Sequence, residues 1–462
     1  MEYSAVIAAV STPPGKGGVA IIRISGDGAL DIAKRVFRRR DGGEIRDPEP
    51  RREIWGSIFS GGEEIDDGML CYFKAPASYT GEDTVEISCH GGVLVTRGVL
   101  EAVLAAGARP AEPGEFTRRA FINGKLSLSS AEAIGNLLEA KSREQIKLNS
   151  KKARGVLSLK MEELRSELLD ILSSMYARID YPDEDLGELS AAEIGEKLCS
   201  IIEKTDRLIA SYGTGRAISE GISTVIAGKP NAGKSTLYNA LLGEDAAIVS
   251  DVRGTTRDVL TSELPLGRLL LRISDTAGVR AETDDAIERI GIERSRERIR
   301  ESELILALFD LSSPFSPEDE EIIRAISDSD ARRIAILTKS DLKCGECPTL
   351  PEGLFDATLE ASALKDPVSL KLELAAICDA LFTDGKLSAG EDAIVSSARQ
   401  FACLSAAREH LLLARDALSI GVYQDAAASD IELALAKISE IDTKAVSDDI
   451  VSDVFSKFCV GK

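Results

Sequence analysis

The sequence predicts a multidomain protein: an N-terminal α+β domain over residues 1–123, a helical domain split into 124–214 and 380–462, and an α/β domain over 215–379 inserted between the helical pieces. Two observations carry this. The chain has 462 residues, room for about three domains of ~150 residues each. Its apolar pattern also changes character three times, from short β-like runs to helical periodicity, then to strand–helix alternation, then back to helical periodicity. Hydrophobic residues make up 44% and charged residues 29%, the balance of a globular protein rather than a disordered or fibrous one.

In the first zone SAVIAAV, VAIIRIS, MLCYFKA and TVEISC read as short strands, punctuated by glycine pairs and joined by helical stretches such as the one beginning at Gly92. In the second, Met161, Leu164, Leu168, Ile171 and Met175 recur at spacings of three and four, which puts them on one face of a long helix and in a bundle core. The third holds the runs STVIA, LLLRIS, LILALFD and RIAILTKSD, apolar enough to be strands of a mostly parallel sheet covered by helices on both faces. The two helical pieces flanking it are expected to pack together.

The formal net charge is −21. A surface that acidic repels polyphosphates, which excludes general coating of nucleic acid but leaves room for a local site. No apolar run approaches the ~20 residues of a membrane-spanning helix, and the start MEYSAVIAAVS lacks the basic head and long apolar run of an export signal. The protein is expected to be soluble and cytoplasmic. Eight cysteines are scattered without the spacing of a disulfide scaffold, so they read as reduced thiols. The pair Cys344 and Cys347 has no second pair or nearby histidine and reads as a loop rather than a zinc site.

The run STVIA leads into Gly228-Lys229-Pro230-Asn231-Ala232-Gly233-Lys234-Ser235 and then a helical TLYNALLG. This is a complete G-x-x-x-x-G-K-S in its strand–loop–helix setting. Glycines let backbone N–H groups approach phosphates, Lys234 supplies charge to the β and γ phosphates, and the Ser235 hydroxyl suits magnesium. Asp275-Thr276-Ala277-Gly278 ends the run LLLRIS, where a carboxylate reaches the magnesium shell and the glycine N–H meets the γ-phosphate. Thr338-Lys339-Ser340-Asp341 ends RIAIL, placing Asp341 to accept hydrogen bonds from guanine that adenine cannot offer, and Ser362-Ala363-Leu364 follows some twenty residues on to meet the guanine oxygen. Order and spacing read as a GTPase. Thr338 stands where N-K-x-D is usual, and Val279 where Ras-like proteins carry a water-orienting glutamine.

Further blocks join these motifs: the run Asp251-Val252-Arg253-Gly254-Thr255-Thr256-Arg257-Asp258, the segment Glu288-Arg289-Ile290-Gly291-Ile292-Glu293, the N-terminal TPPGKGGVAIIRISG, YTGEDTVEISCHGG and PGEFTRRAFINGKLSLSSAEAI, and the C-terminal Phe458-Cys459-Val460-Gly461-Lys462. Together they resemble the bacterial tRNA modification GTPase family MnmE, also called TrmE, over essentially the whole chain. The resemblance implies an N-terminal folate-binding-like α+β domain, a discontinuous helical domain and an inserted Ras-like α/β P-loop GTPase domain. It implies a potassium ion held by Asn231, Ser250, Val252 and Thr255, largely through main-chain oxygens, in the place of an arginine finger, with Thr256 joining Ser235 on magnesium. The resemblance further implies that two GTPase domains dimerise face to face to close that site. The implied GTP set runs through Asn231, Ala232, Gly233, Lys234, Ser235 and Thr236, Ser250 to Thr256, Asp275 to Gly278, Thr338 to Asp341, and Ser362 to Leu364. Glu288 is the residue expected to orient water, with Lys234 and Arg257 beside it in catalysis.

The resemblance also implies a 5-formyl-tetrahydrofolate site built across a constitutive homodimer, with Arg23, Glu86, Lys125 and Lys462 as its binding positions. Cys459 is there either a thiol acting on a one-carbon unit or a small packed side chain, and His90 reads as structural. The implied partner is the FAD-dependent MnmG, also called GidA, in a heterotetramer that adds aminomethyl or carboxymethylaminomethyl groups at carbon five of the wobble uridine. Because the chain is acidic and has no G-x-G-x-x-G fingerprint for a flavin, the partner is expected to hold most of the tRNA and the redox chemistry. Two rivals stand beside this reading. A ribosome-assembly GTPase switch calls for an RNA-binding domain after the GTPase domain, where this chain has a helical tail. A folate-dependent transferase acting alone would need no flavin partner.

Overall fold

The computed structural model describes residues 5–180, 189–242, 261–274, 298–343, 350–383, 393–419, 424–442 and 448–461. Cα proximity divides the chain into two compact units, one of residues 1–138, 150–201 and 406–462 and the other of 139–149 and 202–405.

In the first unit, period-two alternation builds the sheet. Strands β1 (Ile7–Val10), β2 (Val19–Ser25), β3 (Phe37–Arg39), β4 (Glu53–Ser60), β5 (Glu63–Phe73), β6 (Thr84–His90) and β7 (Arg109–Pro110) pair in the order β3-β4-β5-β6-β2-β1-β7. All neighbours are antiparallel except β1 with β7. Ala20, Ile22 and Ile24 of β2 turn to one face, where they join Ile58, Leu70, Val85 and Ile87 in a core with Ile32, Val36, Val99 and Val103 from the helices Ala29–Val36 and Val93–Ala105. The alternate residues, Ile21 and Arg23, take the other face and stay partly exposed.

The helical part of this unit is organised by Val156–Asp180, whose Met161, Leu164, Leu168, Ile171 and Met175 are all buried. The helix Gln424–Asp442 packs against it and buries Ile431, Ala434 and Ile438. A stretch from beyond the α/β insertion thus lies against one from before it. The C-terminal segment then returns to the start of the chain. Phe458 and Phe455 enter a cluster with Phe121, Leu128 and Ala131, Val460 bridges Pro113, and Ser11 Oγ donates to the Gly461 carbonyl at 3.2 Å. Gly461 has φ +101°, and a Cβ there would run into the Val10 carbonyl, so only glycine serves this docking.

In the second unit, β8 (Ile222–Gly228), β9 (Thr261–Leu266), β10 (Leu269–Ser274), β11 (Leu304–Asp310), β12 (Arg332–Thr338) and β13 (Ala357–Glu360) form a sheet in the order β13-β12-β11-β8-β10-β9. All pairs are parallel but β9 with β10. The continuous apolar run of β11 follows from its position: Leu304, Leu306 and Leu308 enter the core on one face, while Ile305, Ala307 and Phe309 enter the core on the other. The first core also takes in Leu148, Ala217, Ile218 and Ile394, which explains why segments outside the strand-rich zone belong to this unit. Five parallel strands point their carboxyl ends to one edge, the usual place for a ligand in such sheets.

Candidate functional site

At that edge β8 ends in Gly228 and the chain turns through Lys229–Gly233 into the helix Lys234–Leu242. The turn needs left-handed backbone at Asn231 (φ 60°) and Gly233 (φ 96°), and it brings the helix N-terminus, with its unpaired N–H groups, to the sheet edge. Lys234 Nζ donates to the carbonyls of Gly228 at 2.7 Å and Lys229 at 2.9 Å, so the ammonium sits over the loop. Ser235 and Thr236 follow in the first helical turn, partly buried.

Two ties hold the loop from outside it. Lys229 Nζ pairs with Asp319 Oδ2 at 2.8 Å, both side chains largely buried, and the same oxygen accepts from the backbone N–H and the hydroxyl of Ser316 at the start of the helix Pro317–Ser327. The Thr338 hydroxyl donates to the Ala232 carbonyl at 2.8 Å and also lies 3.3 Å from the Phe309 carbonyl. Thr338 therefore joins the loop after β8 to the end of β12.

Beyond β12, Lys339 takes φ 57° and its Nζ pairs with Asp310 Oδ2 at 2.7 Å, while Asp310 Oδ1 accepts from the backbone and hydroxyl of Ser312. The Ser340 N–H donates to the Ala361 carbonyl at 3.4 Å. Asp341 is exposed; the Ser362 hydroxyl and the Lys365 ammonium, 3.5 Å away, hold its carboxyl below the ordinary value, so it is an acceptor at neutral pH. Ser362 is the first of the serine, alanine and leucine that follow β13; Ala363 packs against the core and Leu364 is exposed. The structure thus brings together the loop Asn231–Thr236, the loop Thr338–Asp341 and the loop Ser362–Leu364. Ser250 to Arg257, Asp275 to Gly278, Glu288, Cys344, Cys347 and Lys462 lie outside the described residues.

Two comparisons place this arrangement. A family model described as "GTP-binding protein TrmE N-terminus" matches residues 6–125, and one described as "MnmE helical domain" matches residues 128–459. The chain is 41% identical over 459 residues to the tRNA modification GTPase MnmE of Thermotoga petrophila, covering 99% of each chain. It is 40% identical to that of Thermotoga maritima, again over 99% of each, and 37% identical to that of Lactiplantibacillus plantarum over 99% of this chain and 98% of the relative. The chain belongs to the MnmE family. It is a GTP hydrolase built as an N-terminal α+β domain, a discontinuous helical domain and an inserted α/β P-loop GTPase domain. Among solved structures, the elongation factor SelB of Methanococcus maripaludis with a GTP analogue covers 34% of this chain and 34% of its own, at 16% identity and a TM-score of 0.23.

The residues that the MnmE resemblance assigns to folate lie in the first unit. Arg23 and Glu86 face each other across β2 and β6 and form an ion pair at 2.8 Å. The Arg23 guanidinium also lies 5.6 Å from the Tyr79 ring centre and 5.7 Å from that of Phe116. Lys125 Nζ donates to the Pro76 carbonyl at 3.0 Å, so it holds the loop that carries Tyr79. In the tail, Cys459 is exposed while its neighbour Phe458 is the residue that packs. His90 pairs with Asp66 at 2.8 Å, and that carboxylate raises the imidazole pKa. The six described cysteines are free thiols.

Sequence reasoning missed the Lys229–Asp319 tie and the network around Arg119. That buried arginine meets Glu115 at 3.0 Å, Glu82 at 3.0 Å and the Ala5 carbonyl at 2.9 Å. For the first, a signal existed in the S-P-E-D start of the helix at Pro317, which marks an N-cap and a capping acid. For the second, only the three-dimensional meeting of three segments reveals it.

Proposed function

We propose that this chain is a potassium-stimulated GTPase that works with an FAD-dependent MnmG partner to modify carbon five of the wobble uridine in certain tRNAs, using a one-carbon unit from a tetrahydrofolate. The observation that supports it most is the joining of a tied P-loop to a guanine loop through Thr338 and Ala232, on a chain alike over 99% of its length to tRNA modification GTPases.

The donor set fits the ions. Hydroxyl, amide and main-chain oxygens are hard ligands suited to magnesium and potassium, and Asn231 is an exposed amide at the turn of the phosphate loop. Ser235 and Thr256 would hold magnesium, and Asn231, Ser250, Val252 and Thr255 would hold potassium. When bound, these cations neutralise charge developing between the β and γ phosphates. Lys234 binds the phosphates, Asp341 and Ser362 to Leu364 select guanine, and Glu288 orients water. In the first unit, Arg23, Glu86, Lys125 and Lys462 would bind 5-formyl-tetrahydrofolate or a related tetrahydrofolate across a homodimer, the Tyr79 and Phe116 rings beside Arg23 offering a stacking surface.

The test is nucleoside analysis of tRNA from a deletion strain complemented with this chain, alongside GTP hydrolysis in potassium and in sodium at matched ionic strength. Modified wobble uridines should return with the wild type and not with Lys234→Ala, and potassium should raise hydrolysis at least ~10-fold. Unmodified uridines with the wild type reject the tRNA reading, and equal rates in the two salts reject the potassium reading.

A further inference from the structure

Against a net charge of −21, the segment from Lys34 to Arg52 carries eight cations and four carboxylates. Five of those cations, Lys34, Arg38, Arg39, Arg40 and Arg46, line an open cleft of about 800 Å³ with Glu44 as its one carboxylate among the described residues. The cleft wraps the outermost strand of the first sheet, since β3 pairs with β4 alone. Register puts Arg38 opposite Ser57, and the Arg40 N–H donates to the Trp55 carbonyl. Arg38, Arg40, Trp55, Ser57 and Phe59 therefore share one face of this edge.

The aromatic rings set this face apart from a plain basic loop. The Arg38 guanidinium lies 4.4 Å from the Phe59 ring centre and that of Arg40 lies 5.6 Å from the Trp55 ring centre. Trp55 is 55% exposed, with the Arg40 guanidinium beside its ring and its indole N–H donating to Asp67 at 3.3 Å. Arg39 and Arg46 pair with Asp41 and Glu44 on the same exposed turn, and Arg40 reaches Glu64 only at 3.8 Å. Exposed pairs of this kind are weak and exchange readily for a phosphate. An acidic peptide would satisfy the arginines but gives the indole nothing flat to stack on. A nucleic-acid strand satisfies both, with phosphates on the guanidinium groups and a base on the ring.

We infer that this cleft and the adjoining face of β3 and β4 dock an RNA strand, the arginines on its phosphodiester backbone and Trp55 on one base. The inference rests on the tRNA reading for the identity of that RNA. It moves part of the tRNA grip from the partner onto this chain's N-terminal domain, within a molecule whose overall charge opposes RNA.

The test is fluorescence anisotropy of a labelled unmodified tRNA transcript with the full-length chain, across about 50 to 200 mM salt. The triple variant Arg38→Gln, Arg40→Gln, Arg46→Gln should lose ~10-fold or more in affinity, and the slope of log affinity against log salt should shrink by ~2. Trp55→Ala should lose ~5- to 100-fold with the salt slope kept. Arg324→Gln, on an exposed helix of the other unit, should change neither, and GTP hydrolysis and thermal unfolding should be unaltered in all three. No tRNA binding by the wild type, wild-type affinity and slope in the triple variant, or equal competition by polyglutamate and by RNA would each overturn the inference. Wobble-uridine analysis of the same strains keeps the two readings apart. Modification restored by the wild type with tRNA affinity unmoved in the triple variant rejects only the docking surface. Modification absent with the wild type, but RNA affinity lost in the triple variant, rejects only the tRNA-modification reading.

Discussion

Thr338 shows how much one side chain decides. Its hydroxyl is the link between the Ala232 carbonyl and the end of β12, and Thr338→Val keeps the shape while leaving that buried carbonyl short of a donor. A neutral hydrogen bond contributes about 0.5–1.5 kcal/mol, so calorimetry should show GTP affinity falling roughly two- to ten-fold, with the GTP-over-ATP preference kept. Asp341 carries the opposite share. Asp341→Asn should weaken GTP by ~10- to several-hundred-fold and shift preference toward xanthosine triphosphate; unchanged GTP affinity would remove Asp341 from guanine recognition. Both positions were legible in the sequence, because a motif fixes their place, and for Asp341 its type as well, while Thr338 departs from that motif. What could not be read was how Thr338 compensates, since its acceptor lies over a hundred positions earlier in the chain.

At the scale of elements, strands were legible wherever burial imposed a pattern. LILALFD declares a strand covered on both faces, and VAIIRIS one covered on a single face. The joints between elements were not legible. The helix Glu115–Ile122 is fastened by Glu115, which accepts from Arg109, from the Glu112 N–H and from Arg119. Burial alone would raise the Glu115 carboxyl, but Arg109, that N–H and Arg119 together hold it below the ordinary value. A carboxylate with a depressed folded-state pKa stabilises the fold above its unfolded pKa of ~4.3 and loses that contribution as pH falls through the folded value. Acid unfolding of the wild type should therefore include a component below pH ~4 that Glu115→Gln lacks. At neutral pH the same substitution should cost about 1.5–3 kcal/mol in denaturant titrations, because Arg109 and the buried Arg119 each lose a charged partner while Arg119 keeps Glu82 and the Ala5 carbonyl.

At the scale of the whole molecule, the change from β-like to helical to alternating pattern made the domain plan readable, and the helix packing of 156–180 against 424–442 agrees with an insertion. Net charge was a poorer guide: −21 describes the average surface and hides the arginine-rich edge at β3. The C-terminal tail, legible as a motif, also packs as a structural part through Phe455, Phe458 and Gly461. Phe458→Ala should lower the stability of the first unit by about 3–5 kcal/mol, followed by hydrogen exchange at Phe121 and Leu128, with GTP hydrolysis kept. The tail also orders events in time. Ser11 meets Gly461 across 450 positions, so a domain begun near residue 7 is closed only by residues near 461. The described strands of the GTPase domain lie between Ile222 and Glu360 and can pair while the chain is still being made. The N-terminal domain instead keeps the end of β1 and the Pro113 turn uncovered until residues 455–461 have been made and can return to them. Nascent chains stalled before residue 448 should thus bind GTP while their N-terminal domain remains open to protease, and a bulky C-terminal fusion should slow its closure.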